Sequence, residues 1–146
     1  MGVLTLECGV LEHLWAYRQA KPWKKEAGGQ LFARFTQGQV CISVATGPRK
    51  ADKRSLFGYV PDSESERIEI EAHFSQGLHF VGDWHTHRQK IPEPSSTDIE
   101  SITGSVRKSD HVLFGFVLIV VGTAVFPKGL SVSLHTTESW ETLELK

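Results

Sequence analysis

Residues 82–98 read Gly-Asp-Trp-His-Thr-His-Arg-Gln-Lys-Ile-Pro-Glu-Pro-Ser-Ser-Thr-Asp. His85 and His87 stand one residue apart. In an extended segment such residues point to the same side, about 6–7 Å from each other. Two imidazoles so placed can converge on one ion. Seven residues separate His87 from Ser95, and two more separate Ser95 from Asp98. Ser-x-x-Asp opens a helix as a capping-box pattern. The intervening loop holds Pro92 and Pro94 and can bring that first helical turn back over the histidines. Two nitrogens and one carboxylate oxygen make a three-ligand zinc set with a fourth position for water. Such a set lowers the pKa of water to about 7 and polarises a carbonyl. It also requires a general base that is not itself a ligand.

The stretch demands a strand end followed by a helix start, and the flanking sequence supplies both. His79 to Trp84 reads as the strand, and Ser95 caps a helix to about Lys108. Residues 111–121 form a long apolar strand, covered on both faces. Leu130 to Thr136 alternates as a partly exposed strand. Upstream, Val3 to Leu6 is a short first strand. Cys8 to Gln19 is a helix with Val10, Leu11, Leu14 and Trp15 on one face, closed by Pro22. Gly28-Gly29 opens a strand through Leu31, Phe32 and Phe35, with Val40 to Val44 as its hairpin partner. Gly47 to Arg54 reads as a polar loop with four basic residues. In residues 64–76 the alternation of Ile68, Ile70, Ala72 and Phe74 favours a strand. The acidic start and the stop at Gly77 favour a helix, and the helix is chosen. The last ten residues are amphipathic at best, with Trp140 and Leu143 tying down the tail. The expected architecture is α/β: one domain over residues 1–146, a mixed β-sheet flanked by helices.

Composition narrows the setting. The chain has 146 residues, with 16 basic and 17 acidic side chains. That near-neutral balance argues against nucleic acid or an anionic membrane as the main partner. Two cysteines, Cys8 and Cys41, make no disulfide framework, and both read as structural. The longest apolar run, Val112 to Val121, is about half a bilayer span. No basic stretch followed by an apolar run marks a signal peptide, so a cytoplasmic location is expected.

Each histidine alone has a bland reading. His13, His73, His79, His111 and His135 are expected to be ordinary core or surface residues. The complete His-x-His, seven residues, Ser-x-x-Asp pattern arises by chance on the order of once in a thousand such chains. It resembles the signature of the JAMM (MPN+, JAB-type) metalloisopeptidases. The likeness extends to Glu26-Ala27-Gly28-Gly29-Gln30-Leu31, similar to the Glu-x-Gly-Gly-x-Leu segment of bacterial members. It covers about residues 10–122. The Gly82 to His87 run looks most like the compact bacterial branch found on mobile elements and beside ubiquitin-like conjugation enzymes in antiphage operons.

The resemblance implies a JAB/MPN (cytidine-deaminase-like) fold and one Zn²⁺ per chain, held by His85, His87 and Asp98. It implies Glu26 as general acid/base and Ser95 as hydrogen-bond donor to the oxyanion. Glu7 and Glu12 compete with Glu26 as upstream carboxylates. Only Glu26 stands beside a Gly-Gly strand opening, where it can point along the sheet end. Two residues depart from the family pattern. Arg88 stands where proline is usual, which predicts a looser loop. Ala33 replaces a common glycine, adding a methyl where backbone can run close to substrate.

The implied substrate is an amide after the C-terminus of a ubiquitin-like protein, with activating and conjugating enzymes as possible partners. An extended tail can add to a sheet edge, and Pro48 to Asp62, with Phe57 and Tyr59, is either a solvated loop with two aromatic plugs or the candidate groove wall. Lys21, Lys24 and Lys25 around Trp23 form either a solvated turn or a site for an acidic partner. Two other readings remain: a zinc peptidase or amidase releasing a small group from a carrier tail, and a non-catalytic MPN-type scaffold.

Overall fold

The computed structural model describes residues 3–108, 115–136 and 138–144. Among the described residues nine strands and three helices follow in the order β1 (Val3–Leu6), α1 (Cys8–Tyr17), β2 (Gly28–Thr36), β3 (Gln39–Ala45), β4 (Lys53–Ser55), β5 (Gly58–Val60), α2 (Ser63–Phe74), β6 (His79–Thr86), α3 (Ser96–Lys108), β7 (Phe116–Val121), β8 (Leu130–His135) and β9 (Trp140–Leu143). Seven strands form one mixed sheet in the order β1-β3-β2-β6-β7-β8-β9, and β4 and β5 pair as a separate hairpin. The mixed α/β architecture is therefore as expected.

β6 is the strand that matters. It lies antiparallel to β2 and parallel to β7. Parallel pairing on one side and helices over the faces bury this region, and every described residue of β7 is buried. Gly82 lets β6 press against β7: a Cβ there would lie 1.8 Å from the Val117 carbonyl oxygen. One core packs Val10 and Leu14 of α1 with Leu31, Ile42, Val81, Trp84, Val117 and Ile119. A smaller cluster puts Ile102 of α3 on Phe116, Leu118 and Val120. Among the described residues no helix is long and apolar enough to cross a membrane.

Several expectations change. α1 ends at Tyr17, well before Pro22. Residues 64–74 of the ambiguous segment, by contrast, fall in a helix as chosen: α2 is started by the Asp62 side chain accepting from the Ser65 N–H. It has no buried residue, which is why its apolar positions follow no helical stripe. The loop expected over residues 47–54 gives way at its end to β4, whose register pairs Lys53 with Val60. The tail forms β9 along β8, with Trp140 stacked on His135. β8 is mostly buried, because β9 covers its outer edge. Ala33 is fully enclosed in the core and takes no part in lining the cavity described below. Cys8 is exposed, so the structural reading fails for it, whereas Cys41 is half-buried in β3. His111 and the start of the expected 111–121 strand lie outside the described residues.

Candidate metal centre and active site

His85 ends near the rim of β6, and His87 continues the extended run by donating its N–H to the Val121 carbonyl at 2.9 Å. The two rings therefore share a side. Thr86, between them, points the other way and is buried. Its hydroxyl accepts from the Ala27 N–H at 3.0 Å and donates to Gln19 Oε1 at 3.0 Å, and its N–H reaches the Ala27 carbonyl at 2.9 Å. These bonds extend the β2–β6 pairing beyond the strand end. Gly28 lies opposite His85, so Glu26, two residues earlier, faces the same side as the histidines.

The two glycines after Glu26 have separate steric reasons. A Cβ on Gly28 would lie 2.6 Å from the Tyr59 ring and 2.7 Å from the Trp84 carbonyl, so its bareness admits Tyr59 over the site. A Cβ on Gly29 would lie 1.7 Å from the Thr46 carbonyl, on the path by which the chain leaves β3. The Trp84 indole N–H donates to that same carbonyl at 2.8 Å.

Asp98 arrives from α3. Its Oδ2 accepts the Ser95 N–H at 2.8 Å while its own N–H donates to Ser95 Oγ at 3.1 Å, a reciprocal cap. The loop between His87 and Ser95 is held by Thr123 and Ala124, whose N–H groups donate to the carbonyls of Gln89 and Lys90. Pro92 is buried in that loop.

The result is three ligand atoms facing one point. His85 Nε2 and His87 Nε2 are 3.2 Å apart, His85 Nε2 and Asp98 Oδ1 3.1 Å, and His87 Nε2 and Asp98 Oδ2 3.3 Å. A tetrahedral ion with bonds near 2.0–2.1 Å has ligand edges of about 3.3–3.4 Å. His87 Nδ1 lies 3.1 Å from Gln89 Oε1, which assigns the ring proton to Nδ1 and the lone pair to Nε2. Two imidazole nitrogens and a carboxylate aimed at each other are compatible with a cation between them. Among the described residues these three are the grouping able to hold a metal ion.

The local charges respond accordingly. Burial opposes the Asp98 carboxylate, but hydrogen bonds with His85 and His87 hold its pKa well below the usual range. The same bond to Asp98 raises His87 against its burial. Glu26 is raised by burial, offset by the fields of His85 and His87. Its side chain enters the same cavity, of about 470 Å³, lined also by Ser95, Asp98, Phe57, Tyr59, Asp83 and Ile102. Glu7 precedes α1 and Glu12 lies on it, and neither lines the cavity.

One contributor, Asp83, was not singled out from the sequence, and Arg88 was given another role. Asp83, two residues before His85 on the same face of β6, lines the cavity, and burial beside Glu66 pushes its pKa up to about 7. The i, i+2 spacing from His85 was a signal that could have found it. Arg88 was expected to leave its loop loose. Instead its guanidinium donates to the carbonyls of Pro22 at 3.1 Å, Lys24 at 2.7 Å and Leu56 at 3.4 Å. The wall expected from Pro48 to Asp62 is held by polar contacts. Arg49 binds Glu69 of α2 at 2.6 Å, and Tyr59 donates to Asp52 at 2.9 Å.

The profile for prokaryotic homologs of the JAB domain matches residues 9–141. A CD-NTase/cGAS isopeptidase of Enterobacter hormaechei is 32% identical over 101 residues, 66% of this chain and 55% of that protein. One of Escherichia coli, with the same name, is 30% identical over 116 residues, 77% of this chain and 72% of that protein. The match thus spans about half the length of the first relative. Two proteins solved in solution share the fold. One is from Desulfitobacterium hafniense (TM-score 0.68, 19% identity, 97% of this chain and 90% of that one). The other is from Salinibacter ruber (0.58, 20%, 97% and 89%). The chain belongs to the family of prokaryotic homologs of the JAB domain.

Proposed function

We propose that this chain is a zinc-dependent isopeptidase that hydrolyses the amide bond after the C-terminus of a ubiquitin-like protein or a protein conjugated in the same manner. The observation that carries the reading is the mutual 3.1–3.3 Å spacing of His85, His87 and Asp98 ligand atoms, with Glu26 in the same cavity. Zinc bound by these three residues would activate water and polarise the scissile carbonyl.

The remaining steps belong to the chain itself. Glu26 accepts a proton from the attacking water and delivers it to the amine nitrogen as the C–N bond breaks. Its burial raises its proton affinity toward what such a shuttle needs. Ser95 Oγ accepts the Asp98 N–H, so its hydroxyl proton is free to donate to the developing oxyanion. The products are a carboxylate and a free amine. Phe57, Tyr59 and Pro61 on one side and Thr97 and Ile102 on the other form walls for an extended tail. The names of the relatives support a CD-NTase (cGAS-like) protein as one member of the conjugate. A cytoplasmic setting beside activating and conjugating enzymes goes with this substrate.

The test is cleavage of fusions of ubiquitin-like proteins and CD-NTases, with and without chelator, alongside metal analysis. About one zinc per chain and chelator-sensitive cleavage are expected. Glu26→Gln should keep the metal and lose turnover. Cleavage that persists in chelator, or in Glu26→Gln, overturns the assignment.

A further inference from the structure

Three segments meet beside Glu26 and carry an unusual composition. Residues 21–25 read Lys-Pro-Trp-Lys-Lys, residues 53–57 read Lys-Arg-Ser-Leu-Phe, and Arg88 lies between them. None of these positions is acidic. Arg88 is the joint, since its guanidinium holds the carbonyls of Pro22 and Lys24 on one side and of Leu56 on the other. Arg54 Nε donates to the Glu26 carbonyl at 2.8 Å, and the Glu26 N–H donates to the Ser55 carbonyl at 2.8 Å. The loop, the hairpin tip and the general-base position therefore form one continuous rim of the cavity.

The outward face of this rim is both apolar and cationic. Trp23 is 71% exposed and Phe57 is 84% exposed, and the Arg88 guanidinium lies 6.0 Å from the Phe57 ring. Lys24 turns back to the Ala16 carbonyl, whereas Lys21 and Lys25 are exposed. A chain of net charge −1 thus places six of its 16 Lys and Arg residues beside the residue assigned to protonate the leaving amine. Two large exposed aromatic side chains beside an arginine have the composition of a recognition surface.

We propose that this rim docks an acidic, aliphatic-bearing segment of the protein that carries the scissile amine. The inference rests on the isopeptidase reading and names the partner of that site. A polypeptide is favoured over nucleic acid because the rim adjoins Glu26, so whatever occupies it presents its bond to a peptide-cleaving cavity. Trp23 and Phe57 supply apolar contact, and the cations supply orientation and encounter rate.

Fluorescence anisotropy with the full chain tests this. The probe is a short labelled peptide alternating Glu with Leu and Ile around one Lys. The controls are the same peptide with Lys in place of Glu, and a single-stranded DNA of equal charge. The acidic peptide should bind, weaken with added salt, and lose about tenfold in affinity in Lys21→Glu/Lys25→Glu. Trp23→Ala should weaken it independently of salt. Both variants alter exposed side chains, and unchanged melting curves would establish that they fold. Equal binding of the basic peptide, equal or tighter binding of the DNA, or indifference to both variants overturns the proposal. Peptide binding without cleavage of any fusion would count against the isopeptidase reading alone. Cleavage without peptide binding would count against the docking surface alone.

Discussion

Ser95 and Asp98 cap one another, each donating its backbone N–H to the other's side chain, at 2.8 and 3.1 Å. The carboxylate facing His85 and His87 is therefore also the group that starts α3. Asp98→Ala should lose the metal and, separately, about 0.5–2 kcal/mol of stability from the missing cap. Melting in the presence of chelator isolates the second loss. Ser95→Ala should lower turnover by roughly two to three orders of magnitude if its hydroxyl serves the oxyanion. A drop of less than tenfold with normal metal content would leave Ser95 as a cap only.

Arg88 joins the 22–24 loop to the hairpin tip. In Arg88→Ala, backbone amides of residues 22–26 and 55–58 should exchange faster with deuterium, while metal content stays normal. KM for a cleaved conjugate should rise more than kcat falls, because the groove rim shifts and the ligands do not. Unchanged exchange would mean the three carbonyl bonds contribute nothing to order, as is common for exposed cations.

Gly29 has no room for a side chain. Gly29→Ala should cost about 1–3 kcal/mol, since the Thr46 carbonyl must move and takes the Trp84 indole bond with it. Denaturant midpoints measure this. Stability equal to the parent would show that the turn after β3 shifts freely.

Asp52 gives a pH prediction away from the ligands. Burial opposes its charge, but the N–H groups of Arg49 and Asp62 and the Tyr59 hydroxyl hold its pKa below 3.8. A depressed carboxylate stabilises above the unfolded pKa and loses that contribution as pH falls through the folded value. Acid should therefore weaken the protein below about pH 4. Asp52→Asn should be less stable at neutral pH and show a flatter acid limb in urea titrations at several pH values. A parallel acid limb in parent and variant would sink the assignment.

Much of this was legible from the chain, and the exceptions have physical reasons. His85, His87, Ser95 and Asp98 were readable because a two-residue strand period and a helix cap both leave fixed spacings. β2 and β3 were readable from a turn glycine between apolar runs. The β4–β5 hairpin was not, because three-residue strands such as Lys53–Ser55 carry no alternation long enough to detect and are held by Arg49, Asp52 and Tyr59 rather than by apolar burial. β9 was missed because Trp140–Leu143 has value only as an edge added to β8. Arg88 was misjudged because a missing proline was weighed without asking which carbonyls an arginine there could reach.

Helix α2 contributes Glu66 to the cavity although none of its residues is fully buried. Its attachment runs largely through Arg49 to Glu69 and the stacking of His73 on Phe32. Substitutions along its outer positions thus leave the core sequence unconstrained. Changes at those outer positions should therefore cost less stability than changes in the sheet that carries His85 and His87.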